Sequence, residues 1–187
     1  LTRNQTLKQE PLLKADDVKG GAIYAEYRTD DARLTIELIK TAAQFEACVV
    51  NYCEVSNFEY KDNKICGVTV ADHVSNSSFT IKATVVVSAA GPWVDTLREI
   101  NKSKKGKRLH LTKGVHLVVS HKKFPVHQAI YFDVEDGRMI FAIPRGEITY
   151  VGTTDTNYQE GIDEVHTSKE DAVYLINAVN RTFPAVN

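Results

Sequence analysis

The run Val85-Val86-Val87-Ser88-Ala89-Ala90-Gly91-Pro92-Trp93-Val94-Asp95 constrains this chain more than any other segment. Three consecutive β-branched residues form a short apolar run, the pattern of a strand buried on both faces of a parallel sheet. Two alanines and a glycine follow, leaving the backbone almost bare where such a strand would end. Pro92 stands where a helix can begin, because its fixed φ suits the first helical position and its missing N–H is not needed there. A strand, a bare turn and a helix start put main chain at the carboxyl end of a sheet, where ligands lie in open α/β folds. The same residues also describe an ordinary tight β-to-α connection. This segment alone leaves both readings open.

Upstream, residues 1–19 are polar and broken by Pro11, which predicts a loop or short helical turns. Gly20-Gly21 leads into Ala22-Ile23-Tyr24-Ala25-Glu26-Tyr27-Arg28, which predicts a strand. Thr29-Asp30-Asp31-Ala32-Arg33-Leu34 opens a helix, with an aspartate to cap it and acids at its positive end. Leu34, Leu38, Ile39, Ala42 and Phe45 recur at helical spacing and predict its buried stripe. Glu46 stands at the stop where glycine is expected, and a left-handed non-glycine residue there costs on the order of 1 kcal/mol. Val49-Val50-Asn51-Tyr52 reads as a parallel-type strand. Residues 54–60, 65–71 and 78–83 read as a meander around the turn Lys61-Asp62-Asn63-Lys64. These elements predict an α/β sheet carrying a small antiparallel flap.

Residues 101–108 (Asn-Lys-Ser-Lys-Lys-Gly-Lys-Arg) form a basic run without an apolar residue. With a formal net charge of only −1 over 187 residues, nothing global points to nucleic acid, and the run is expected to be a solvated, mobile interdomain loop without a fixed partner. Beyond it the pattern changes. Residues 109–120, 129–134, 138–144 and 148–153 are strand-like, with Asp136-Gly137 as a hairpin signal before the third and Arg145-Gly146-Glu147 joining the last two. That predicts a mostly antiparallel sheet. Thr167-Ser168-Lys169-Glu170 offers a capping box, and Ala172, Leu175, Ile176, Val179 and Phe183 form the stripe of a covering helix ended by Pro184. The fold class is therefore mixed, α+β with an α/β part.

Cys48, Cys53 and Cys66 are odd in number and lack metal spacing, which suits a reducing compartment. No apolar run reaches the roughly 18 residues a membrane helix needs. The six histidines include His110 and His116 on one predicted strand, but no further ligand completes a set, so no metal is expected. The nucleophile elbow, the phosphate loop and the Gly-x-Gly-x-x-Gly fingerprint are absent from these residues. Lys113-Gly114-Val115-His116 is either a strand glycine where backbone approaches a ligand, or a bulge with a surface lysine and a satisfied histidine. Val151-Gly152-Thr153-Thr154-Asp155-Thr156 is either a polar ligand site or a side-chain-capped turn. The chain opens on Leu and ends directly after a helical pattern, so it is expected to be a piece of something longer.

Taken in order, Asp30-Asp31-Ala32-Arg33-Leu34, Ala89-Ala90-Gly91-Pro92-Trp93-Val94-Asp95, Lys113-Gly114-Val115-His116, Asp136-Gly137-Arg138-Met139-Ile140-Phe141, Val151-Gly152-Thr153-Thr154-Asp155-Thr156 and Asn180-Arg181-Thr182-Phe183-Pro184 resemble the FAD-dependent glycerol-3-phosphate dehydrogenases and oxidases. These enzymes belong to the wider D-amino-acid-oxidase-like flavoproteins. The resemblance runs from about Gly20 to the C-terminus. Ser88 stands where the family commonly has asparagine, and Glu46 where it has glycine.

The resemblance implies a split Rossmann-like FAD domain (residues 31–101) interleaved with an antiparallel-sheet substrate domain (residues 1–30 and 102–187). It implies that Val55, Ala89, Ala90, Gly91, Trp93 and Gly114 line the FAD site. It also implies that His116, Lys113 and Arg33 act in catalysis and that Thr153 binds substrate. The implied reaction oxidises glycerol 3-phosphate to dihydroxyacetone phosphate, with quinone or oxygen as final electron acceptor. The implied location is cytoplasmic, with peripheral association at the inner face of the cell membrane. Without the pyrophosphate seat, this chain alone is expected to be colourless and inactive. Two other classes stay open: an amine or amino-acid oxidase of the same superfamily, and a binding module without redox chemistry.

Overall fold

The computed structural model describes residues 1–152 and 156–186. In chain order the elements are α1 (Arg3–Gln9), a 3₁₀ turn (Ala15–Asp17), α2 (Asp31–Gln44), β1 (Cys53–Lys61), β2 (Lys64–Asp72), β3 (Ser77–Lys82), a 3₁₀ turn (Gly91–Trp93), α3 (Val94–Ile100), β4 (Thr112–Lys113), β5 (Leu117–Ser120), β6 (Ile130–Asp133), β7 (Met139–Arg145), β8 (Ile148–Gly152), β9 (Thr156–Asn157) and α4 (Lys169–Thr182). The chain divides into two compact units, Glu26–Leu109 and Leu1–Ala25 with His110–Asn187.

In Glu26–Leu109, Asp30 caps α2 by accepting from the Arg33 N–H at 3.2 Å. The other end closes as a Schellman motif. Glu46, at φ 64°, donates to Ala43 O at 3.0 Å, and Ala47 donates to Ala42 O at 3.1 Å. β1, β2 and β3 form an antiparallel meander in that order. Asp62 and Asn63 both take positive φ (51° and 60°), so the first hairpin turns through two left-handed residues whose twist matches that of its strands. Phe58, Val68 and Val70 make the small core, with Val86, Leu97 and Ile100 packed against it. Gly67 is the close approach within this sheet. A Cβ there would meet Ile81 O at 2.3 Å, a backbone atom that cannot rotate away.

Several expectations fail here. No strand forms at residues 20–28, 49–52 or 85–89; Gly20 makes only a single isolated bridge, to Thr2. Among the described residues every strand pair is antiparallel. The α2 stripe is exposed rather than buried, Phe45 to 82%, and Val87 and Tyr27 stand at 82% and 98%. Apolar runs and helical stripes mark a surface suited to burial, but a strand exists only with a ladder partner and a stripe is buried only by a layer opposite it. Among the described residues, no such partner covers these segments.

The basic run is also not a partnerless loop. Arg98 Nη1 donates to Asp95 Oδ1 at 2.7 Å and to Lys107 O at 3.0 Å, and Leu109 N–H reaches Asp95 Oδ2 at 3.0 Å. Lys104 Nζ pairs with Glu99 Oε1 at 2.5 Å. Helix α3 therefore gathers the run beneath its own C-terminal half, and the run belongs to Glu26–Leu109.

The other unit is built on an antiparallel sheet ordered β5-β8-β7-β6, with β4 paired to β9 beside it. Ile140, Ala142, Val151 and Phe132 point to one face, where Leu175, Ala178 and Val179 of α4 cover them. The buried side of α4 differs from the predicted stripe. Ile176 is 48% exposed, and Asp171, Leu175, Ala178 and Val179 share the inner face. The capping box is likewise one residue later: Ser168 Oγ accepts from the Asp171 N–H at 3.1 Å, and Ser168 N–H donates to Asp171 Oδ2 at 2.9 Å. Asp171 wins over Glu170 because its inward position also reaches a buried lysine, described below.

The N-terminal segment closes one end of this core. α1 starts from a Thr2–Gln5 capping box, and Leu12 and Leu13 pack on the core. Glu10 is buried, with its carboxylate accepting from Leu12 N–H at 3.3 Å and His127 N–H at 3.0 Å. Two backbone donors satisfy a buried acid that would otherwise be costly.

Candidate functional site

Lys113 ends β4 and His116 directly precedes β5, so the strand expected over residues 109–120 is interrupted at residues 114–116, and contacts show where each side chain goes. Val115 enters the core at 5% exposure, Lys113 reaches α4, and His116 lies against Phe141 and Tyr150. Lys113 Nζ lies 2.6 Å from Asp171 Oδ2, 3.2 Å from His166 O and 5.9 Å from the Tyr158 ring centre. Its side chain is 12% exposed and that of Asp171 8%. The pair joins β4 to the first turn of α4, where an acid also suits the helix dipole.

The hydrogen bond that Lys113 donates to the Asp171 carboxylate raises the Lys113 pKa, opposed by burial. Burial pushes the Asp171 carboxyl up, but Lys113 and Ser168 outweigh it and leave its pKa below the ordinary 3.8. A second acid behaves alike. Asp136 is held at about 2 by the Arg138 guanidinium first, with Tyr174 Oη donating at 3.1 Å. Arg138 stacks 3.9 Å over the Tyr174 ring, so the Asp136-Gly137-Arg138 turn anchors the exposed side of α4. Depressed carboxyl pKa values contribute stability above the unfolded value and lose it as pH falls through the folded one. Carboxyl carbon NMR is therefore expected to give midpoints below 3.8 for both, with Asp136 at about 2. A midpoint at or above 3.8 for either contradicts the pairing. The Lys113 contribution runs the other way: it is complete below pH 10.5 and lost as pH rises through its higher folded value.

His116 stands exposed on the uncovered face of the sheet. Phe141 and Tyr150 share that face by strand parity. The His116 ring centre lies 5.4 Å from that of Phe141 and 5.8 Å from that of Tyr150. Tyr131 extends the row at 5.7 Å from Phe141. The sheet thus has a dry side under α4 and an open aromatic side carrying one imidazole. His110 is not part of this group; its Nε2 meets Asn157 Oδ1 at 2.8 Å.

The remaining predicted residues are distributed as follows. Gly114 is exposed beside Lys113. Arg33, Val55, Ala89, Ala90, Gly91 and Trp93 belong to Glu26–Leu109, whereas Lys113, Gly114 and His116 belong to the other unit. Arg33 lies in the first turn of α2, Val55 on β1, and Gly91 and Trp93 in the 3₁₀ turn before α3. Thr153 lies outside the described residues. Asp171 and the rings of Phe141 and Tyr150 escaped sequence reasoning. The period-2 alternation of residues 139–152 could have located the rings.

The whole chain, residues 1–187, matches the family model described as FAD dependent oxidoreductase. The chain belongs to that family. Across its full length the chain is 52% identical to the aerobic glycerol-3-phosphate dehydrogenases of Staphylococcus aureus strains MRSA252 and USA300. It spans 34% of the length of each. It superposes over its whole length on the X-ray structure of glycerol-3-phosphate dehydrogenase from Bacillus halodurans complexed with FAD, with TM-score 0.94, 52% identity and 38% of that chain covered. Glycine oxidase from Bacillus cereus shares the fold, with TM-score 0.71 at 20% identity over 99% of this chain and 48% of that one. The fold class is thereby that of a mixed α/β flavoprotein with antiparallel sheets. Among the described residues, no helix is long and apolar enough to cross a membrane, and no three metal-ligating side chains cluster.

Proposed function

We propose that this chain is the central part of an FAD-dependent glycerol-3-phosphate dehydrogenase that oxidises sn-glycerol 3-phosphate to dihydroxyacetone phosphate. The carrying observation is 52% identity along the entire chain to enzymes of that name. Several local features suit an FAD wall in Glu26–Leu109. Gly91 takes φ 51° with nothing within 4 Å of an added Cβ, Ala89 is exposed beside it, and Trp93 is 42% exposed. Bare backbone of this kind lets a cofactor lie against main chain. On this reading Glu26–Leu109 is the FAD-binding part, with Val55 at the adenine, and the rest is the substrate part.

Bound FAD supplies the acceptor for the hydride that leaves carbon 2 of the substrate. His116 accepts the proton of the carbon 2 hydroxyl, a general-base role that an exposed imidazole can fill. Phe141 and Tyr150 hold that ring and keep water from one side of it. Lys113 acts by fixing, through Asp171, the end of β4 from which the chain runs on to His116. Arg33 acts in catalysis, and Thr153 binds substrate. Electrons pass on to quinone or oxygen, at the cytoplasmic face of the membrane.

The test is anaerobic mixing of the full-length polypeptide with glycerol 3-phosphate, watching the flavin absorbance. Bleaching by glycerol 3-phosphate and not by glycine is expected. Bleaching by glycine alone would replace the reading with an amino-acid oxidase, and a full-length polypeptide that purifies without FAD would replace it with a binding module.

A further inference from the structure

Gly152 takes no positive φ, so its backbone is one that any residue can adopt, and its lack of a side chain needs another reason. The space above its Cα is occupied. An added Cβ would lie 2.2 Å from His116 Cδ2 and 2.8 Å from His116 Nε2, with Phe141 Cζ at 3.0 Å. The ladder explains this. Phe141 opposes Gly152 across β7 and β8, and Leu117 opposes Val151 across β5 and β8, which brings His116 alongside Gly152 on the same face. An aromatic ring laid over a glycine on the neighbouring strand covers backbone that a side chain would otherwise fill. With Phe141 and Tyr150 at its sides, the imidazole has two walls, and Gly152 is its floor.

We infer that Gly152 is a positioning residue that acts through His116: the missing Cβ lets the Cδ2–Nε2 edge of the imidazole lie against β8, which sets where its nitrogens point. The catalytic half of this inference rests on the role proposed for His116 above. The steric half does not. In Gly152→Ala the Phe141 contact needs only a few tenths of an ångström of give, whereas the His116 ring must leave its place, because no real Cβ contact is as short as 2.2 Å.

The test is a double-mutant cycle on this chain with Gly152→Ala, His116→Ala and the combined variant. Gly152→Ala is expected to lower the melting temperature by only about 1–3 °C, because the exposed His116 ring can swing off its rotamer into solvent rather than overpack a core. In the His116→Ala background the same change is expected to cost less than half as much. Equal losses in both backgrounds would overturn the seat. Should Gly152→Ala fail to fold, recovery of folding in the combined variant supports the seat, and continued failure overturns it.

Flavin reduction in the full-length polypeptide supplies the second readout. Gly152→Ala is expected to slow it by about 10–100-fold at unchanged FAD content, the scale of a 1 Å misplacement. It should cause no further loss once His116 is alanine. Independent losses in the two backgrounds would overturn action through His116. If His116→Ala leaves the rate unaltered, the catalytic reading of His116 falls, while the melting cycle still decides the seat.

Discussion

Replacing Phe183 by alanine is expected to destabilise the His110–Asn187 unit by about 3–5 kcal/mol, the range for deleting a buried aromatic ring. Phe183 is fully buried, just beyond the last turn of α4. Its ring meets Phe124 at 4.9 Å and Phe132 at 5.2 Å, both edge to face, a geometry that adds to simple burial. Its N–H donates to Val179 O at 2.7 Å and its own carbonyl receives Val186 N–H at 2.9 Å, so the backbone is pinned and cannot collapse into the cavity. Urea denaturation of the purified chain measures the loss. Ile176→Ala is the control: that residue sits on the same helix at 48% exposure and should change stability by about 0.5 kcal/mol or less. Similar losses for the two would mean that α4 does not cover the sheet with the face described.

Replacing His116 by alanine is expected to slow flavin reduction in the full-length polypeptide by about 10²–10⁴-fold, the contribution of a positioned acid–base group. FAD content should stay unchanged. The residue lies in a different unit from Val55 and the Ala89–Trp93 turn, and its imidazole is exposed on a face that carries no core. Melting temperature should therefore fall little. Lys113→Ala should behave in the opposite way, lowering stability by leaving the Asp171 carboxylate without its partner, because the pair is largely buried. A variant at His116 that keeps the full reduction rate, or loses FAD, would remove it from the chemistry.

Much of the architecture was legible in the chain. The Asp30 cap of α2, the helical period of α4 (though not its buried face or its capping box, which starts one residue later) and the antiparallel run of β5 to β8 rest on local hydrogen bonds and on side-chain periods of 2.0 and 3.6, which neighbouring residues carry between them. The left-handed stop at Glu46 was also readable, since the chain has to turn there whatever residue occupies it. The strand expected at residues 85–87 was not, because three valines report a preference for burial and say nothing of a ladder partner. The same holds for the α2 stripe, which has helical spacing and an exposed face.

At the site, sequence alone located Lys113-Gly114-Val115-His116 as the segment of interest and named His116 within it. Only the tertiary structure separated the two polar residues, sending Lys113 to Asp171, 58 positions on by difference of residue numbers, and His116 to the aromatic face. Only the fold, too, placed the imidazole over Gly152. The physical reason is the range of the interactions. Caps, turns and periodicity are settled within a few residues. An ion pair between strand and helix, or a ring resting on the neighbouring strand, depends on groups whose proximity arises only when the whole sheet is assembled.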